Sequence, residues 1–313
     1  MAKEFHQTVW DKRTEQNWEA MLRLAIAEDL DAAGDWTSRV LVAKDALGRA
    51  EIVARQPGIV AGLPGVAMTL SIFEPRLHWS PQCVDGRAVT VGECVGRIEG
   101  PAPALLATER ILLNLLGRLS GIATLTRQYV DAVAGTKTRI YDTRKTTPGW
   151  RRLEKYAVRC GGGWNHRGGL YEAVLIKDNH LAFGAQGGDA ARRFTPTEAV
   201  VRARQFVEEN ASESCMIVEV EVDTLEQLDA VLPARPDIVL LDNMSPAQLC
   251  KAVARRDAFD RAIELEASGG INLATVRQIA ESGVDRISVG ALTHSAVALD
   301  FGLDWIASGG IGS

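Results

Sequence analysis

Five cationic residues in the middle of the sequence have the types and spacing that suit carboxylate binding. They are Arg144 and Lys145 in YDTRKTTPG, His166 and Arg167 in NHRGG, and Lys177 in VLIKDNH. Arginine binds a planar carboxylate through two parallel hydrogen bonds, whereas lysine supplies a point charge. If the fold brings these residues to one face, they suit a small ligand with more than one carboxylate.

The stretch from Lys137 to Arg167 has nine Lys or Arg residues and two acids, although the whole chain has a net charge of −5. Self-repulsion makes such a local excess costly unless anions occupy it. Arg144 and Lys145 follow a predicted strand, in a loop that would face the functional end of a barrel. Four other cations are expected to form a solvated helix face: Arg151, Arg152, Lys155 and Arg159.

Acidic residues form a second group on the strands that follow. Glu219 and Glu221 lie two apart in IVEVEVD, so they project from the same face of a strand, and Asp242 closes the next strand in IVLLDNMSP. For Glu219 and Glu264, ion pairing with the cations and a direct functional role are equal alternatives, because an unpaired buried charge is strongly disfavoured. Glu221 and Asp242, at strand ends, suit sugar hydroxyls or a hydrated Mg²⁺.

Two glycine-containing turns near the end of the chain are typical of a phosphate site. Glycine lets backbone N–H groups approach an anion, and a following helix N-terminus adds to the attraction. The first turn is expected to precede a helix that starts near Asn272. The sequence has no G-x-x-x-x-G-K-[ST] loop, so ATP chemistry of that type is not indicated. The turns are Ser268, Gly269 and Gly270, and Val289, Gly290 and Ala291.

The predicted secondary structure that must position these residues changes near residue 100. Before it, short alternating runs separated by Gly and Pro predict an antiparallel sheet, preceded by a helix around Trp18–Asp29. The segment Leu105–Val133 has apolar residues at helical spacing. The predicted strands of this part are Ala50–Arg55, Gly58–Gly62, Arg76–Ser80 and Glu93–Ile98.

From Arg139 onwards, strands and helices alternate, which predicts a parallel sheet. Polar residues follow nearly every strand instead of gathering at one switch point, and this favours an α/β barrel over a doubly wound sheet. Two capping boxes, Thr224 with Gln227 and Ser245 with Gln248, predict helix starts. The predicted strands are Arg139–Asp142, Ala173–Lys177, Met216–Val222, Ile238–Asp242, Ile263–Glu266 and Arg286–Gly290.

Composition excludes several classes of protein. The chain has 313 residues, 46% of them apolar, which is too hydrophobic for disorder and enough for two domains. Five cysteines without a C-x-x-C pair argue against a disulfide framework or zinc site and for a reducing compartment. The acidic balance argues against nucleic acid, and no apolar run could span a membrane. We therefore expect a cytoplasmic globular protein.

The motifs YDTRKTTPG, NHRGGLYE-x-x-LIKDNH, EVEVD, LLDNMS, EASGGI and SVGALTHS resemble those of the quinolinate phosphoribosyltransferases, and the resemblance runs from Gly34 to Ser295. It implies an N-terminal α/β sandwich and an incomplete parallel α/β barrel of six to seven strands. The sandwich would comprise residues 1–119, with the C-terminal tail 296–313 packed back on it, and the catalytic barrel residues 120–295. The resemblance also implies homodimers, or larger assemblies of dimers, with shared active sites.

The resemblance implies a role for each matching residue. The carboxylates of quinolinate would contact Arg144, His166, Arg167 and Lys177, with Thr143 and Lys145 beside them. Glu221 and Asp242 would hold the ribose hydroxyls and position Mg²⁺, which binds mainly through phosphoribosyl pyrophosphate. The turns Ser268–Gly270 and Val289–Ala291 would hold the 5′-phosphate, and His294 would approach a phosphate group. Arg110, in ATERILLN, would reach the active site of the neighbouring subunit.

The implied reaction joins quinolinate to the ribose and removes CO₂, giving nicotinate mononucleotide and pyrophosphate for de novo NAD synthesis. The pyridine nitrogen attacks C1 of phosphoribosyl pyrophosphate through an oxocarbenium-like state, which fixed carboxylates stabilise. Decarboxylation is favoured as the second step, because the N-ribosyl cation is then the electron sink, and a lysine would return the proton. The catalytic residues would be Lys145, Lys177, Glu221 and Asp242.

Three alternatives fit parts of the sequence. The first is a paralogous phosphoribosyltransferase for another aromatic carboxylate, differing only in pocket contacts. The second is an aldolase-type barrel with Lys177 as a Schiff-base lysine, although such a lysine should be desolvated. The third is a non-catalytic phosphate-binding barrel, which leaves the facing cationic and acidic groups without a purpose.

Overall fold

The computed structural model describes residues 3–184, 193–210 and 216–306. Its contacts divide the chain into two compact units. The barrel unit consists of Met1–Gln7, Gln128–Arg144 and Trp164–Ala291. The helix–sheet unit consists of Thr8–Arg127, Lys145–Gly163 and Leu292–Ser313. The domain boundaries expected from the sequence stay a prediction, and residues 307–313 of the expected C-terminal tail lie outside the described residues.

The described helices are α1 (Lys12–Leu30), α2 (Trp36–Leu41), α3 (Leu63–Phe73), α4 (Ala102–Ala132), α5 (Arg151–Cys160), α6 (Asp178–Phe183), α7 (Pro196–Asn210), α8 (Leu225–Val231), α9 (Pro246–Phe259), α10 (Val276–Glu281) and α11 (Ala291–His294). The described strands are β1 (Leu47–Ala54), β2 (Gly58–Ile59), β3 (His78–Pro81), β4 (Ala88–Val89), β5 (Cys94–Pro101), β6 (Arg139–Tyr141), β7 (Ala173–Ile176), β8 (Ile217–Val222), β9 (Ile238–Asp242), β10 (Glu264–Ser268), β11 (Arg286–Ser288) and β12 (Phe301–Trp305).

The barrel unit is built on one parallel sheet of six strands in the order β6-β11-β10-β9-β8-β7. Neighbouring strands end together, so that Ser268 lies opposite Asp242 across the β9–β10 pair. Among the described residues β6 and β7 do not pair with each other, and a single bridge from Tyr141 to Trp164 lies on the outer edge of β6. The predicted incomplete α/β barrel is therefore confirmed, with six strands.

The strands and helices of this unit form for the reasons that the sequence indicates. Along β8 and β9 almost every residue is buried, as expected of parallel strands covered on both faces. Both capping boxes are present: the Thr224 hydroxyl accepts from the Gln227 N–H at 3.2 Å, and the Ser245 hydroxyl accepts from the Gln248 N–H at 3.4 Å. These side chains satisfy N–H groups that α8 and α9 leave unpaired.

The helix–sheet unit contains an antiparallel sheet in the order β12-β1-β5-β3 and the long helix α4. Three of the predicted strands, Ala50–Arg55, Arg76–Ser80 and Glu93–Ile98, and the predicted helix over Leu105–Val133 are found here with shifted ends. Apolar side chains of β1, β5 and α4, among them Ile52, Ile98 and Leu116, bury one core at 1% exposure or less. About 25 cal/mol for each Å² of apolar surface removed from water stabilises such a core.

Several local predictions are wrong. The predicted strand Gly58–Gly62 stops at Ile59, because the Asp85 carboxylate accepts the N–H groups of Gly62 and Leu63 and starts α3 there. Neither α2 nor α3 was expected from the sequence. The helix predicted near Asn272 begins at Val276, after a turn.

The expected solvated face of α5 is also wrong. Lys155 is 2% exposed, and the three arginines of this group are half-buried. Arg152 forms two hydrogen bonds of 2.7 Å with the Asp11 carboxylate, and Arg151 donates to the Thr146 hydroxyl at 3.0 Å. These cations are therefore bound within the helix–sheet unit.

The structure describes four of the five cysteines, and its helices can be compared with the length and apolar character of a membrane span. Four cysteines of the described chain are free thiols, namely Cys83, Cys94, Cys160 and Cys250, and Cys215 lies outside the described residues. Within the described ranges, no helix combines the length and the apolar character needed to cross a bilayer.

Candidate active site

At the carboxyl ends of the barrel strands, one residue of the predicted cationic group forms an ion pair with one residue of the predicted acidic group. The Lys177 ammonium, just after β7, contacts the Glu221 carboxylate near the end of β8. The Lys177 side chain is 41% exposed and that of Glu221 is 12% exposed. On the next strand, Asp242 accepts a hydrogen bond from the Asn243 amide at 2.7 Å. We call Lys177, Glu221 and Asp242 the strand-end group.

A second group lies deeper, inside the barrel. His166, Glu219 and Glu266 are all buried, and one ring nitrogen of His166 and one carboxylate oxygen of each glutamate lie within 4.8 Å of one another. The His166 Nε2 is 3.1 Å from a Glu219 oxygen and 3.6 Å from a Glu266 oxygen. Within the described chain, the four carboxylate oxygens have no hydrogen-bond partner of good geometry. We call these three residues the interior group.

The protonation of the interior group follows from its contacts. The His166 Nδ1 accepts the backbone N–H of Arg167 at 2.8 Å, so the ring proton lies on Nε2 and faces the carboxylates. A metal at this point would need the lone pair that Nε2 then lacks, so the group does not fit a metal ion. Burial, with a smaller effect from the Glu219 charge, raises the pKa of Glu266 to about 7.

Two of the predicted substrate cations, His166 and Arg167, lie in the turn that follows Trp164. Arg167 is 5% exposed, and one of its amino groups donates to the Ala173 carbonyl at 3.0 Å. Its Nε is buried and has no hydrogen-bond partner within the described chain. Burial, and then the nearby charge of Arg144, lower the pKa of Arg167. A buried guanidinium with an unsatisfied donor and a second cation nearby is an electrostatic site for an anion.

The turn itself is held from strand β6. Asp142, which follows β6 and is fully buried, accepts the Asn165 amide at 2.7 Å and the His166 backbone N–H at 2.9 Å. Thr143 is half-buried and Arg144 is exposed in the loop that comes next. From the sequence, Asp142 is only the last residue of a predicted strand; in the structure its carboxylate holds the turn that carries His166 and Arg167.

The first glycine turn has a left-handed backbone that favours glycine. Gly269 and Gly270 have φ values of +96° and +59°. A Cβ on Gly269 would lie 2.1 Å from the Asn243 side-chain oxygen. Ser268 accepts the Asn243 N–H through its carbonyl at 2.9 Å, which keeps this turn against the end of β9. The second turn, Val289 to Ala291, leads directly into the short helix α11.

Three predicted site residues belong to the helix–sheet unit. Arg110 is exposed on α4 and lines a cleft of about 360 Å³ together with Asn114, Glu28 and Trp150. The carbonyl of Lys145, an exposed residue, accepts the Thr293 hydroxyl at 2.8 Å. His294 is exposed, and its Nδ1 lies 2.7 Å from the Ser295 hydroxyl.

Comparison with known proteins gives two family matches that together cover most of the chain. Residues 35–120 match the quinolinate phosphoribosyl transferase N-terminal domain, and residues 122–304 match its C-terminal domain. A nicotinate-nucleotide pyrophosphorylase [carboxylating] of Mycobacterium leprae is 43% identical over 287 residues, covering 90% of this chain and 95% of that protein. This chain belongs to the quinolinate phosphoribosyltransferase family.

Further relatives agree with this placement. A probable nicotinate-nucleotide pyrophosphorylase [carboxylating] of Bacillus subtilis is 41% identical over 277 residues, covering 88% of this chain and 89% of that protein. The structure of the nicotinate-nucleotide pyrophosphorylase from Francisella tularensis matches with a TM-score of 0.83 and 32% identity, covering 97% of this chain and all of that one. The family resemblance expected from the motifs is thus confirmed, and the family is one of phosphoribosyl-transferring enzymes.

Within this quinolinate phosphoribosyltransferase, the structure separates predicted residues that the sequence had grouped. Lys177 and Glu221 are in direct contact, and the charge of Arg144 lies near enough to affect Arg167. His166 instead faces the interior carboxylates, and its contact with a substrate carboxylate stays a prediction. Glu264 pairs with Arg139 and Arg286, so ion pairing explains it.

Sequence reasoning missed the interior carboxylate Glu266 as a partner of His166, and it missed the first residues of the chain altogether. Phe5 stacks on the His166 ring with a centroid distance of 4.4 Å. No local pattern signals a contact between residues so far apart in sequence. Only the apolar character of Phe5, in an otherwise polar start, hinted at burial.

Proposed function

We propose that this protein transfers the phosphoribosyl group of phosphoribosyl pyrophosphate to quinolinate with decarboxylation. The products are nicotinate mononucleotide, CO₂ and pyrophosphate, and the reaction serves de novo NAD synthesis. The observation that carries the proposal is the buried Arg167 with an unsatisfied Nε and Arg144 nearby. A family membership that covers both parts of the chain supports it.

Quinolinate fits the cationic group because it carries two adjacent carboxylates. One carboxylate can satisfy the buried donor of Arg167, and the second can bind Arg144 or Lys177. Charge-assisted hydrogen bonds of this kind are roughly twice as strong as neutral ones. Thr143 supplies a hydroxyl at the same loop, and Lys145 follows it. A monocarboxylate would leave part of this charge unpaired.

Phosphoribosyl pyrophosphate fits the other half of the strand ends. Glu221 and Asp242 can accept hydrogen bonds from the ribose hydroxyls. The backbone of Ser268, Gly269 and Gly270 can approach the 5′-phosphate without obstruction from a side chain, and Val289, Gly290 and Ala291 provide a second such turn. His294 is assigned to a phosphate group on the motif alone.

Mg²⁺ is the cofactor we assign, bound mainly through the pyrophosphate, with Glu221 and Asp242 as the nearby carboxylates. Their oxygen donors and partial exposure suit a hydrated ion, which keeps several waters and needs few protein ligands. When bound, the metal neutralises charge on the leaving pyrophosphate.

The chain's own residues account for the remaining chemistry. The cationic turn holds quinolinate with its ring nitrogen toward C1 of the ribose, and this positioning makes the attack effectively intramolecular. Glu221 and Asp242 stabilise positive charge on the ribose ring as the bond between C1 and the pyrophosphate oxygen breaks and pyrophosphate leaves. Loss of CO₂ then leaves an electron pair at C2 beside the cationic nitrogen. Lys177, the cation of an ion pair, or Lys145 delivers the proton that C2 needs.

The Schiff-base alternative is disfavoured by the surroundings of Lys177. A nucleophilic lysine must be neutral, which requires desolvation or a neighbouring cation. Lys177 is 41% exposed and contacts a carboxylate, so it has neither of these surroundings. Borohydride reduction with a carbonyl substrate should therefore leave Lys177 unmodified.

We further propose a cytoplasmic homodimer, or an assembly of dimers, in which Arg110 enters the partner's active site. This assignment follows from the family motif and from the exposure of Arg110 on α4. The cleft that Arg110 lines also contains Glu28, so without a partner the arginine has an acidic neighbour in its own unit.

The direct test of the reaction is to incubate the protein with quinolinate labelled at the C2 carboxyl, phosphoribosyl pyrophosphate and Mg²⁺. Labelled CO₂ and nicotinate mononucleotide should form in equal amounts. Release should stop when phosphoribosyl pyrophosphate is left out or when a chelator removes the metal. Turnover of nicotinate in place of quinolinate would instead support the paralogous alternative.

A further inference from the structure

The first described residues of the chain belong to the barrel unit, although the 120 residues after them belong to the other unit. Phe5 is 3% exposed and packs in a cluster with Tyr141, Ile217 and Ile238. Glu4 accepts the Tyr141 hydroxyl at 2.7 Å and pairs with Arg139 at 2.9 Å. We call residues Lys3–Gln7 the N-terminal segment; it is fixed to the barrel by both apolar and charged contacts.

The N-terminal segment also binds the turn that carries Arg167. The Gln7 amide contacts both backbone groups of Asn165: its oxygen accepts the N–H at 2.8 Å, and its nitrogen donates to the carbonyl at 3.1 Å. The Phe5 ring stacks on His166. The backbone N–H of His6 donates to Glu172 at 2.9 Å, and Glu172 also accepts the N–H of Gly168.

The turn is therefore held by two separate sets of contacts. Asp142 holds Asn165 and His166 from strand β6, and the N-terminal segment holds the same two residues through Gln7 and Phe5. The position of the Arg167 guanidinium depends on this backbone. If one support is lost, the turn populates other conformations, and the apparent affinity for an anion falls by the fraction that is misplaced.

We propose that Phe5 and Gln7 are positioning residues for the substrate-binding turn, so that the N-terminal segment sets the affinity of this enzyme for quinolinate. The inference rests on the proposed function for the identity of the ligand. Phe5 and Gln7 act through His166 and Asn165 and have no contact with the reacting atoms. The segment lies far from Arg167 in sequence, yet it contacts the two residues that precede this arginine in the turn.

The test compares Gln7→Met with His6→Ala. Methionine keeps the length and bulk of glutamine but removes both hydrogen bonds to Asn165. The His6 side chain is exposed, and alanine leaves its backbone N–H in place, so this variant is a matched control. Calorimetry should show that Gln7→Met binds quinolinate about tenfold more weakly, while the control is unchanged, since the two hydrogen bonds to the turn are lost together with the one to the Phe5 carbonyl. Gln7→Glu, which keeps the acceptor but not the donor, should fall between them.

A purely structural effect is distinguished by two further measurements. In Gln7→Met the KM for phosphoribosyl pyrophosphate should change less than about twofold, and amide hydrogen exchange at residues 165–168 should accelerate while the rest of the barrel is unaffected. Unchanged quinolinate affinity and unchanged exchange in Gln7→Met would overturn the inference, as would equal losses for both substrates. If wild-type protein does not bind quinolinate, the proposed function is wrong, and the exchange measurement still decides whether the segment holds the turn. Phe5→Leu, which keeps an apolar side chain but loses the stacking, provides an independent second variant.

Discussion

Two carboxylates on the same strand, Glu219 and Glu221, have opposite surroundings. They point to the same face of β8, yet Glu219 is fully buried among the interior group and Glu221 is partly exposed in the strand-end group. Glu219 faces the Nε2 proton of His166, whereas Glu221 contacts the half-exposed ammonium of Lys177. Depth along the strand, and not the face, therefore separates a carboxylate that supports the site from one that can reach a ligand.

The comparison extends to the cations. His166 and Arg167 are adjacent and equally buried, at 5% exposure each. The two ring nitrogens of His166 both face protein groups, while Arg167 keeps an unsatisfied donor. A buried polar group without a partner costs about 1–3 kcal/mol, and a ligand carboxylate would supply the partner that the Arg167 Nε lacks. The unsatisfied donor makes Arg167, and not His166, the residue that we propose to bind the substrate carboxylate.

The largest expected effect separates the two carboxylates directly. Glu221→Gln or Asp242→Asn should lower kcat by about 100- to 1000-fold, since each removes charge that stabilises the ribosyl cation. Quinolinate binding, measured by calorimetry, should survive in both. Glu219→Gln is the matched control two residues away, and its kcat should fall less than about tenfold. A larger catalytic loss in Glu219→Gln than in Glu221→Gln would reverse the assignment of the two groups.

Arg144→Ala should act on binding and not on the chemical step. Loss of a charge-assisted contact to a carboxylate should weaken quinolinate binding about 100-fold, to the point where calorimetry detects little heat. Arg151, seven residues later, contacts Thr146 within the helix–sheet unit and provides the control. Equal weakening of binding in Arg144→Ala and Glu221→Gln would show that the two sets of residues do not have separate tasks.

Mixed dimers test whether the strand-end group is complete within one chain. Arg110→Ala and Lys177→Ala should each be inactive as homodimers. When they are refolded together near a 1:1 ratio, half of the dimers are mixed and each has one site with both residues intact, so about a quarter of wild-type activity should return. Absence of recovery, with subunit exchange verified by mass spectrometry, would place Arg110 in its own chain's site or outside the site.

The smallest effect concerns the interior group and appears as a pH dependence of stability. Glu266 has a pKa of about 7 in the folded chain, above its ordinary value near 4.5, so the folded state binds the proton more tightly. The stability that this provides is complete below pH 4.5 and is lost as the pH rises through 7. Glu266→Gln should therefore gain stability over wild type as the pH rises from 5 to 8, on the order of 3 kcal/mol, visible in Tm. A constant difference in Tm would contradict the raised pKa.

The sequence predicts much of the fold because its signals are local. Strand β9 has the predicted bounds, and the capping boxes before α8 and α9 are where the sequence places them. These elements depend on apolar runs and on side chains three residues apart. The prediction fails where a distant residue decides the outcome, as when Asp85 ends β2 and starts α3.

The candidate site could be predicted as a list of residues but not as two groups. Spacing shows that Glu219 and Glu221 share a face, yet burial depends on how β8 pairs with its neighbours and on the position of His166. The buried arginine partners of Glu264, and the contact of Gln7 with Asn165 across 158 residues, have no local signature. Resemblance to the family supplied the roles of Arg110 and His294, which spacing alone would have left on a helix surface.

The central claim is that the cationic turn around Arg167 selects a dicarboxylate, and one measurement tests it most directly. The kcat/KM values for quinolinate and for nicotinate should be determined with the same enzyme, phosphoribosyl pyrophosphate and Mg²⁺. Removal of one carboxylate leaves a desolvated cation unpaired, so quinolinate should be preferred by several kcal/mol, or at least about 100-fold. Comparable kcat/KM values for the two acids would contradict the account.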